Sequence, residues 1–103
     1  MSKQEFNPGI KTGQYTGDVN ASQAITGIGF EPVYVKIWTH DTIDANAWIF
    51  EKTDQFAADR SVTHYTTYHL NRGNRLKSLD EDGFTVGDQA NTSGQVYDYL
   101  ALG

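Results

Sequence analysis

The stretch that decides the fold is GFTVGDQANTSGQVYDYLAL, which runs from Gly83 to Leu102. Its last part, QVYDYLAL, alternates between two strand faces, one with aromatic and small residues (Tyr97, Tyr99, Ala101) and one with aliphatic residues (Val96, Leu100, Leu102). Apolar groups on both faces are typical of an interior strand. We therefore predict that the C-terminus, where chains usually fray, is held between two neighbouring strands.

Two further strands are visible upstream. In PVYVKIW (32–38) the alternation predicts a core face with Val33, Val35 and Ile37, and an opposite face with Tyr34, Lys36 and Trp38. In AWIFEK (47–52) Trp48 and Phe50 are expected to face together. Phe30 and Tyr99 are expected to be core residues whose truncation destabilises the protein strongly.

Turn residues divide the rest of the chain. RLKSLDEDGFTV (75–86) predicts a hairpin that turns at Glu81–Gly83, with Gly83 at positive φ and a solvated acidic tip. The composition of VTHYTTYHL (62–70) is typical of a β-strand. His69 follows His64 by five positions, which on one strand would place the two imidazoles on opposite faces. TDQFAADR (53–60) has room for one helical turn behind Thr53.

Length and composition indicate the fold class. The chain has 103 residues, 13% of them aromatic, with 10 glycines and no cysteine, so a disulfide framework and a thiolate metal site are excluded. Short strands between Gly, Asn and Asp turns predict an all-β protein, a single antiparallel β-sandwich that is jelly-roll-like and has little helix. We expect residues 1–8 to form a flexible N-terminal arm and residues 9–103 to form the sandwich domain.

The distribution of charge argues against two classes of partner. The chain has 13 acidic and 8 basic side chains, a formal net charge of −5, and its basic residues are scattered along the sequence. No basic stripe is available to neutralise phosphates, so nucleic-acid binding is not expected. No apolar run is long enough for a membrane span, and MSKQEFNPG lacks the apolar core of a signal peptide, which predicts action in the cytoplasm or in a particle assembled there.

Motifs that would indicate nucleotide binding, metal binding or catalysis are weak or missing in this sequence. Gly27-Ile28-Gly29 lacks the third glycine of a dinucleotide fingerprint and is interpreted as a turn. The imidazoles of His40, His64 and His69 lack metal-ligand spacing, although His40 could join Asp41 and Asp44 if their loop curled. No nucleophile elbow is visible. The sequence therefore predicts no enzyme activity, no cofactor and no metal.

The order of the motifs is more specific. TGQYTGD and ITGIGFEPVYVKI, followed much later by LKSLDEDGFTVG and NTSGQVYDYLA, resemble a β-sandwich domain of bacteriophage structural proteins. The matching positions are mainly turn glycines and aromatic residues (Gly13, Tyr15, Thr16, Gly17, Asp18, Ile25, Ile28, Gly29, Phe30, Pro32, Val35, Ile37, Leu76, Leu79, Gly83, Phe84, Val86, Gly87, Asn91, Ser93, Gly94, Tyr97, Tyr99, Ala101). The resemblance covers both outer thirds of the chain, and residues 39–73 match nothing in it.

The resemblance implies a non-enzymatic virion protein. We expect a capsid decoration or head-fibre protein that binds the major capsid protein or another virion protein, assembles as a homotrimer and is localised in the virion. The alternative is a receptor- or carbohydrate-binding module of a tail fibre, and a glycan is expected only in that case. The candidate partner-binding residues are Phe6, Trp48, Tyr65 and Tyr68, and Trp38 is a further member of a possible aromatic platform.

Overall fold

The computed structural model describes residues 9–40, 48–65 and 68–103. These residues form nine β-strands and one short 3₁₀ turn, Asp88–Ala90. The strands are β1 (Ile10–Thr16), β2 (Ser22–Ile25), β3 (Tyr34–Thr39), β4 (Trp48–Thr53), β5 (Ser61–Tyr65), β6 (Tyr68–Arg72), β7 (Leu76–Asp80), β8 (Gly83–Gly87) and β9 (Val96–Leu102). The predicted N-terminal arm, residues 1–8, lies outside the described residues.

The strands form two antiparallel sheets that share one core. The large sheet has the order β1-β9-β3-β4-β5-β6, and the small sheet has the order β2-β8-β7. Buried side chains from both sheets belong to a single hydrophobic cluster. The predicted all-β sandwich is therefore confirmed. Its described strands divide six and three, whereas a jelly roll has eight strands in two Greek keys.

Strand β9 is an interior strand, as its pattern predicts. It pairs with β1 from Ile10↔Leu102 to Thr16↔Val96, and on its other side with β3 from Tyr34↔Leu102 to Thr39↔Tyr97. The predicted inner face, Tyr97, Tyr99 and Ala101, is buried. Pairing on both sides holds the C-terminal strand in place, because its backbone donors and acceptors have partners in two neighbours.

Phe84 joins the two sheets. It lies on β8 of the small sheet, is fully buried, and meets two tyrosines of the large sheet edge-on, with ring centroids 6.3 Å from Tyr15 and 5.2 Å from Tyr99. Tyr15 in turn stacks on Tyr97 at 4.9 Å. Edge-to-face and offset-stacked pairs are the favoured arrangements of aromatic rings. The rest of the core is mostly aliphatic (Ile25, Ile28, Val35, Ile37, Phe50, Leu76, Val86, Ala90, Ala101).

Motif residues from the N-terminal part of the chain contact motif residues from its C-terminal part. Asn91, which is fully buried, donates through its amide to the Asp18 carboxylate and to the Asn20 carbonyl, and its amide oxygen accepts from the Asp18 N–H. The Tyr15 hydroxyl donates to the Ala90 carbonyl at 2.8 Å. These motif residues join segments that are more than seventy positions apart in the chain, so they specify the fold.

Val33 was expected in the core, and this expectation is wrong. Its side chain is 46% exposed, whereas Val35 and Ile37 are fully buried. The backbone of Val33 is still hydrogen-bonded on both sides, its N–H to the Leu102 carbonyl and its carbonyl to the Asp54 N–H, but the small sheet does not cover its side chain. Instead it lines a surface groove with Pro32.

Gly83 does not have the positive φ that was predicted for it; the glycines with positive φ are Gly9, Gly27, Gly29 and Gly94. The reason for a glycine here is close packing. A Cβ at position 83 would overlap the carbonyl oxygen of Ile25 on the neighbouring strand β2. Position 83 therefore requires glycine because of a long-range contact, which the local turn pattern does not reveal.

No helical turn forms behind Thr53. Residues 54–60 make two turns, closed by hydrogen bonds from Phe56 N–H to the Thr53 carbonyl and from Arg60 N–H to the Ala57 carbonyl. The Lys52 ammonium, which is buried, donates to the Ala57 carbonyl at 2.9 Å and to the Arg60 carbonyl at 2.7 Å. Burial lowers the pKa of Lys52. A buried cation thus takes carbonyls of this segment as its partners and holds it as a loop.

The β-rich segment 62–70 contributes to two strands. Strands β5 and β6 pair antiparallel, and His64 and His69 are direct register partners. The expectation that they lie on opposite faces of one strand is therefore wrong, because the chain reverses direction between them. Residues 66 and 67 lie outside the described residues.

Candidate binding surfaces

Three of the four candidate partner-binding residues occupy one cross-strand row. Trp48 on β4 is the register partner of Tyr65 on β5, and Tyr65 is the register partner of Tyr68 on β6. Phe6 lies outside the described residues. The large sheet thus brings together residues that are up to twenty positions apart, a grouping that the sequence suggested only through their shared aromatic character.

Trp38 does not belong to this row. It is the register partner of Ile49, so it shares a face with Ile49, and Trp48 lies on the opposite face with Phe50. The Trp48 and Phe50 rings are nearly parallel, with centroids 6.1 Å apart, as their spacing predicts. A single platform that contains both tryptophans is therefore ruled out, and each tryptophan belongs to a separate surface.

The first surface is a cleft on the inner side of the large sheet, which we call the Trp48 cleft. It has a volume of about 300 Å³, and its lining combines aromatic rings with amides and hydroxyls (Thr39, Trp48, Phe50, Gln89, Thr92, Gln95, Tyr97). Residues of β3, β4 and β9 form its floor, and the 3₁₀ turn and the segment before β9 supply the amides. Neither glutamine was a candidate from the sequence, because only the fold brings residues 89–95 beside Trp48.

The second surface is the outer face of the large sheet. We use this name for the side chains of β3, β4, β5 and β9 that point away from the small sheet (Tyr34, Lys36, Trp38, Ile49, Glu51, Val62, His64, Val96, Asp98, Leu100, Leu102). All of them are half-buried. The face mixes aromatic, aliphatic and charged groups, and the ammonium of Lys36 lies 5.9 Å from the centre of the Trp38 ring.

Two carboxylates organise the polar groups of the outer face. Glu51 accepts a hydrogen bond from the Tyr34 hydroxyl and pairs with the His64 imidazole, both at 2.5 Å. Asp98 accepts from the Gln14 amide at 2.8 Å and pairs with His40 at 2.7 Å. The hydrogen bond from Tyr34, then that from His64, lowers the pKa of Glu51. Burial alone would raise the pKa of Asp98, but hydrogen bonds from His40 and Gln14 outweigh it and the pKa is lowered.

Acidification is expected to destabilise the domain through these carboxylates. Folding lowers the pKa of Glu51 and Asp98, so their stabilisation is present above the unfolded-state values of about 4 and is lost as the pH falls through the folded-state values. Thermal melting between pH 7 and pH 3 measures this loss. The double variant Glu51→Gln, Asp98→Asn should show a smaller fall in Tm than the wild type.

The control for this experiment is Glu81→Gln, which removes a carboxylate at the exposed tip of the β7–β8 hairpin. It should leave the fall in Tm as large as in the wild type. Equal falls in the double variant and the wild type would show that the outer-face carboxylates do not govern acid stability.

The acidic hairpin tip is exposed at Glu81 and Asp82, as expected for a solvated turn, but Asp82 also makes a long-range contact. The Asp82 carboxylate accepts from the N–H groups of Gly27 and Gly29 at 3.1 and 2.7 Å, and the Asp82 carbonyl accepts from the Ile28 N–H. Positive φ at both glycines turns their N–H groups toward one anion. The carboxylate of Asp82 is that anion. It holds the loop that follows β2 against the turn between β7 and β8.

Within residues 9–40, 48–65 and 68–103, no three His, Cys, Asp or Glu side chains are grouped as metal ligands would be. Asp41 and Asp44, the proposed companions of His40, lie outside the described residues. Across the described part of the chain, no helix has the length and apolar character that crossing a membrane requires.

No protein-family model matches the chain, and neither the curated proteins nor the solved structures contain a significant match.

Proposed function

We propose that this chain is a non-enzymatic structural protein of a bacteriophage virion, a decoration protein that binds a protein of the capsid shell. The resemblance of its motifs to phage structural β-sandwich domains supports the assignment to a virion. The residues that carry that resemblance include Tyr15, Asp18, Asn91 and Tyr97, which join the two ends of the chain through hydrogen bonds and ring stacking. They are therefore a signature of the fold and leave the surface available for attachment.

The observation that carries the attachment proposal is the outer face of the large sheet. It presents Tyr34 and Trp38 beside Ile49 and Leu100 on a side of the sandwich that the small sheet does not cover. Binding energy at protein interfaces is concentrated in a few aromatic anchors surrounded by polar groups. Here hydrogen bonds to Glu51 and Asp98 already hold the polar groups in place, so binding costs less conformational entropy.

The charge of the chain favours a protein partner. A net charge of −5 repels packaged DNA. On the outer face, Lys36 offsets part of the charge of Glu51. The face therefore suits a partner with apolar and mixed polar groups, such as the outer surface of a shell subunit.

The proposed assembly is a homotrimer on the shell. At one end of the sandwich, Ile10 is 64% exposed and Val33 is 46% exposed, and this is the end at which residue 9 continues from the N-terminal arm. Exposed aliphatic side chains of this kind gain free energy when neighbouring copies bury them. Phe6 of the arm is the proposed apolar anchor in the same contact.

Purified particles test the proposal directly. The protein should sediment with shells in many copies, and a particle reconstruction should place three copies around each occupied three-fold position. Trp38→Ala should weaken binding to bare shells by about thirtyfold or more, since hot-spot aromatic residues contribute roughly 2 kcal/mol or more. Deletion of residues 1–7 should also weaken binding and leave the sandwich folded.

Lys11→Ala is the matched control, because Lys11 is an exposed residue on edge strand β1. It should bind shells as the wild type does. Wild-type binding by Trp38→Ala would exclude the outer face as the attachment surface. Detection of only a few copies, located on the tail, would favour the fibre-module alternative over a decoration protein.

A further inference from the structure

We propose that the Trp48 cleft binds a neutral sugar ring, a ligand class that is independent of shell attachment. The cleft lies on the face of the large sheet opposite Trp38, so the two surfaces can be occupied at the same time. The inference rests on three properties of the cleft: a rigid aromatic wall, several hydrogen-bonding groups, and the absence of charge among its described lining residues.

Trp48 forms the aromatic wall of the cleft. Its side chain is held by a ring contact, and its backbone is held by a hydrogen bond. The Trp48 ring is half-buried and lies nearly parallel to the fully buried ring of Phe50. The backbone N–H of Trp48 donates to the Thr39 hydroxyl at 3.2 Å, which ties the start of β4 to the end of β3. A flat indole fixed in this way offers an apolar surface to the C–H face of a pyranose ring, and its conformation changes little on binding.

Amides and hydroxyls surround that wall. Gln95 uses its amide N–H₂ group on the Val96 carbonyl at 2.7 Å, which orients the side chain and leaves its oxygen able to accept. The Thr39 hydroxyl accepts from Trp48 and still has its own proton to donate. Gln89 and Thr92 add an exposed amide and an exposed hydroxyl. Such groups match the alternating donors and acceptors of sugar hydroxyls.

The charge and size of the cleft narrow the ligand class. Among the described residues that line it, none carries a formal charge, so this part of the lining offers nothing to neutralise a phosphate or a carboxylate. A second groove, of about 500 Å³, is lined by Glu31, Lys52, Asp54 and Lys77 and thus differs in kind. The volume of the Trp48 cleft, about 300 Å³, is at the lower end of the range for ligand sites. This size suits one or two sugar rings.

The chain has two tryptophans, one on each surface, and this allows a direct test. In Trp38→Phe the remaining indole is Trp48, and in Trp48→Phe it is Trp38. Each variant of the full chain is titrated with glucose, galactose, mannose and N-acetylglucosamine while tryptophan emission is recorded. We expect a saturable change with at least one sugar in Trp38→Phe and no saturable change in Trp48→Phe.

Two further variants test the polar groups. Gln95→Ala and Gln89→Ala should each weaken binding of the responding sugar about fivefold, the effect of losing one hydrogen bond. Saturation-transfer NMR on wild type and variants gives a readout that does not depend on tryptophan, and circular dichroism confirms that each variant is folded. Since the described lining residues carry no charge and the proposed ligand is neutral, raising the salt concentration to about 0.5 M should leave the affinity unchanged.

The proposal is overturned if none of the four sugars gives a saturable signal with folded wild type by either method. It is also overturned if Trp48→Phe and Trp38→Phe respond alike, or if both glutamine variants bind like the wild type. Shell binding is measured separately, so failure of sugar binding and failure of the virion assignment are distinguishable.

Discussion

Replacing Phe84 with alanine is expected to lower the free energy of unfolding by about 3–5 kcal/mol, as is typical for removal of a buried large aromatic side chain. Phe84 is fully buried and is the ring of the small sheet that meets Tyr15 and Tyr99 of the large sheet. Its loss leaves a cavity at the junction of the sheets. Because a domain has a total stability of only about 5–15 kcal/mol, this loss removes a large fraction of it.

Urea unfolding of wild type and Phe84→Ala, followed by circular dichroism, measures this change. Ile10→Ala is the control, since Ile10 is largely exposed on an edge strand and its truncation should have little effect. Tyr99→Ala should also be strongly destabilising, because Tyr99 is buried in the same cluster. Phe30 is only partly buried, against Gly9 and Gly103, so Phe30→Ala should cost less than was expected from the sequence. A Phe84→Ala variant as stable as the wild type would mean that this contact does not hold the sheets together.

Replacing Gly83 with alanine is expected to destabilise the protein by about 1–3 kcal/mol or more, the range for overpacking of a well-packed interior. Strands β2 and β8 are paired here, with Ile25 opposite Phe84, and the new methyl group would overlap the Ile25 carbonyl oxygen. The obstacle is backbone, which cannot move aside as a flexible side chain can. The chain must therefore separate β2 from β8 or shift their register.

Gly94→Ala is the matched control for this substitution. Gly94 has a φ of +80°, but no atom lies within 4 Å of an added Cβ. Its substitution should cost only the strain of a left-handed backbone, roughly 1 kcal/mol. Unfolding curves of the two variants separate the effects, and a smaller loss for Gly83→Ala than for Gly94→Ala would contradict the close approach between β2 and β8.

The sequence alone was sufficient for features that depend on local alternation. The period-two pattern in residues 96–102 predicts an interior strand, and β9 is paired on both sides. The spacing of Trp48 and Phe50 predicts that they face together, and their rings lie nearly parallel. These predictions succeed because successive side chains of a strand point to opposite faces whatever the strand pairs with.

The position of a residue relative to the ends of its strand was harder to predict. Val33 continues the apolar alternation of Val35 and Ile37 and is hydrogen-bonded on both sides, yet its side chain is exposed because the small sheet does not cover it. The prediction for His64 and His69 is wrong because two strands occupy a segment whose composition suits one. Alternation identifies the faces of a strand, but where pairing starts and stops depends on the neighbouring strands.

Fold class and the alternating faces of single strands were thus determined by the sequence itself, because each depends on residues close together in the chain. Tertiary structure alone decided why position 83 requires glycine and which groups Asp82 binds. It also placed Trp38 and Trp48 on opposite faces of the large sheet. The fold, finally, brought Gln89 and Gln95 beside Trp48. Each of these depends on sheet register or on a contact between segments distant in sequence. No local pattern encodes such a contact, because a one-residue change of register would exchange every face of the paired strand.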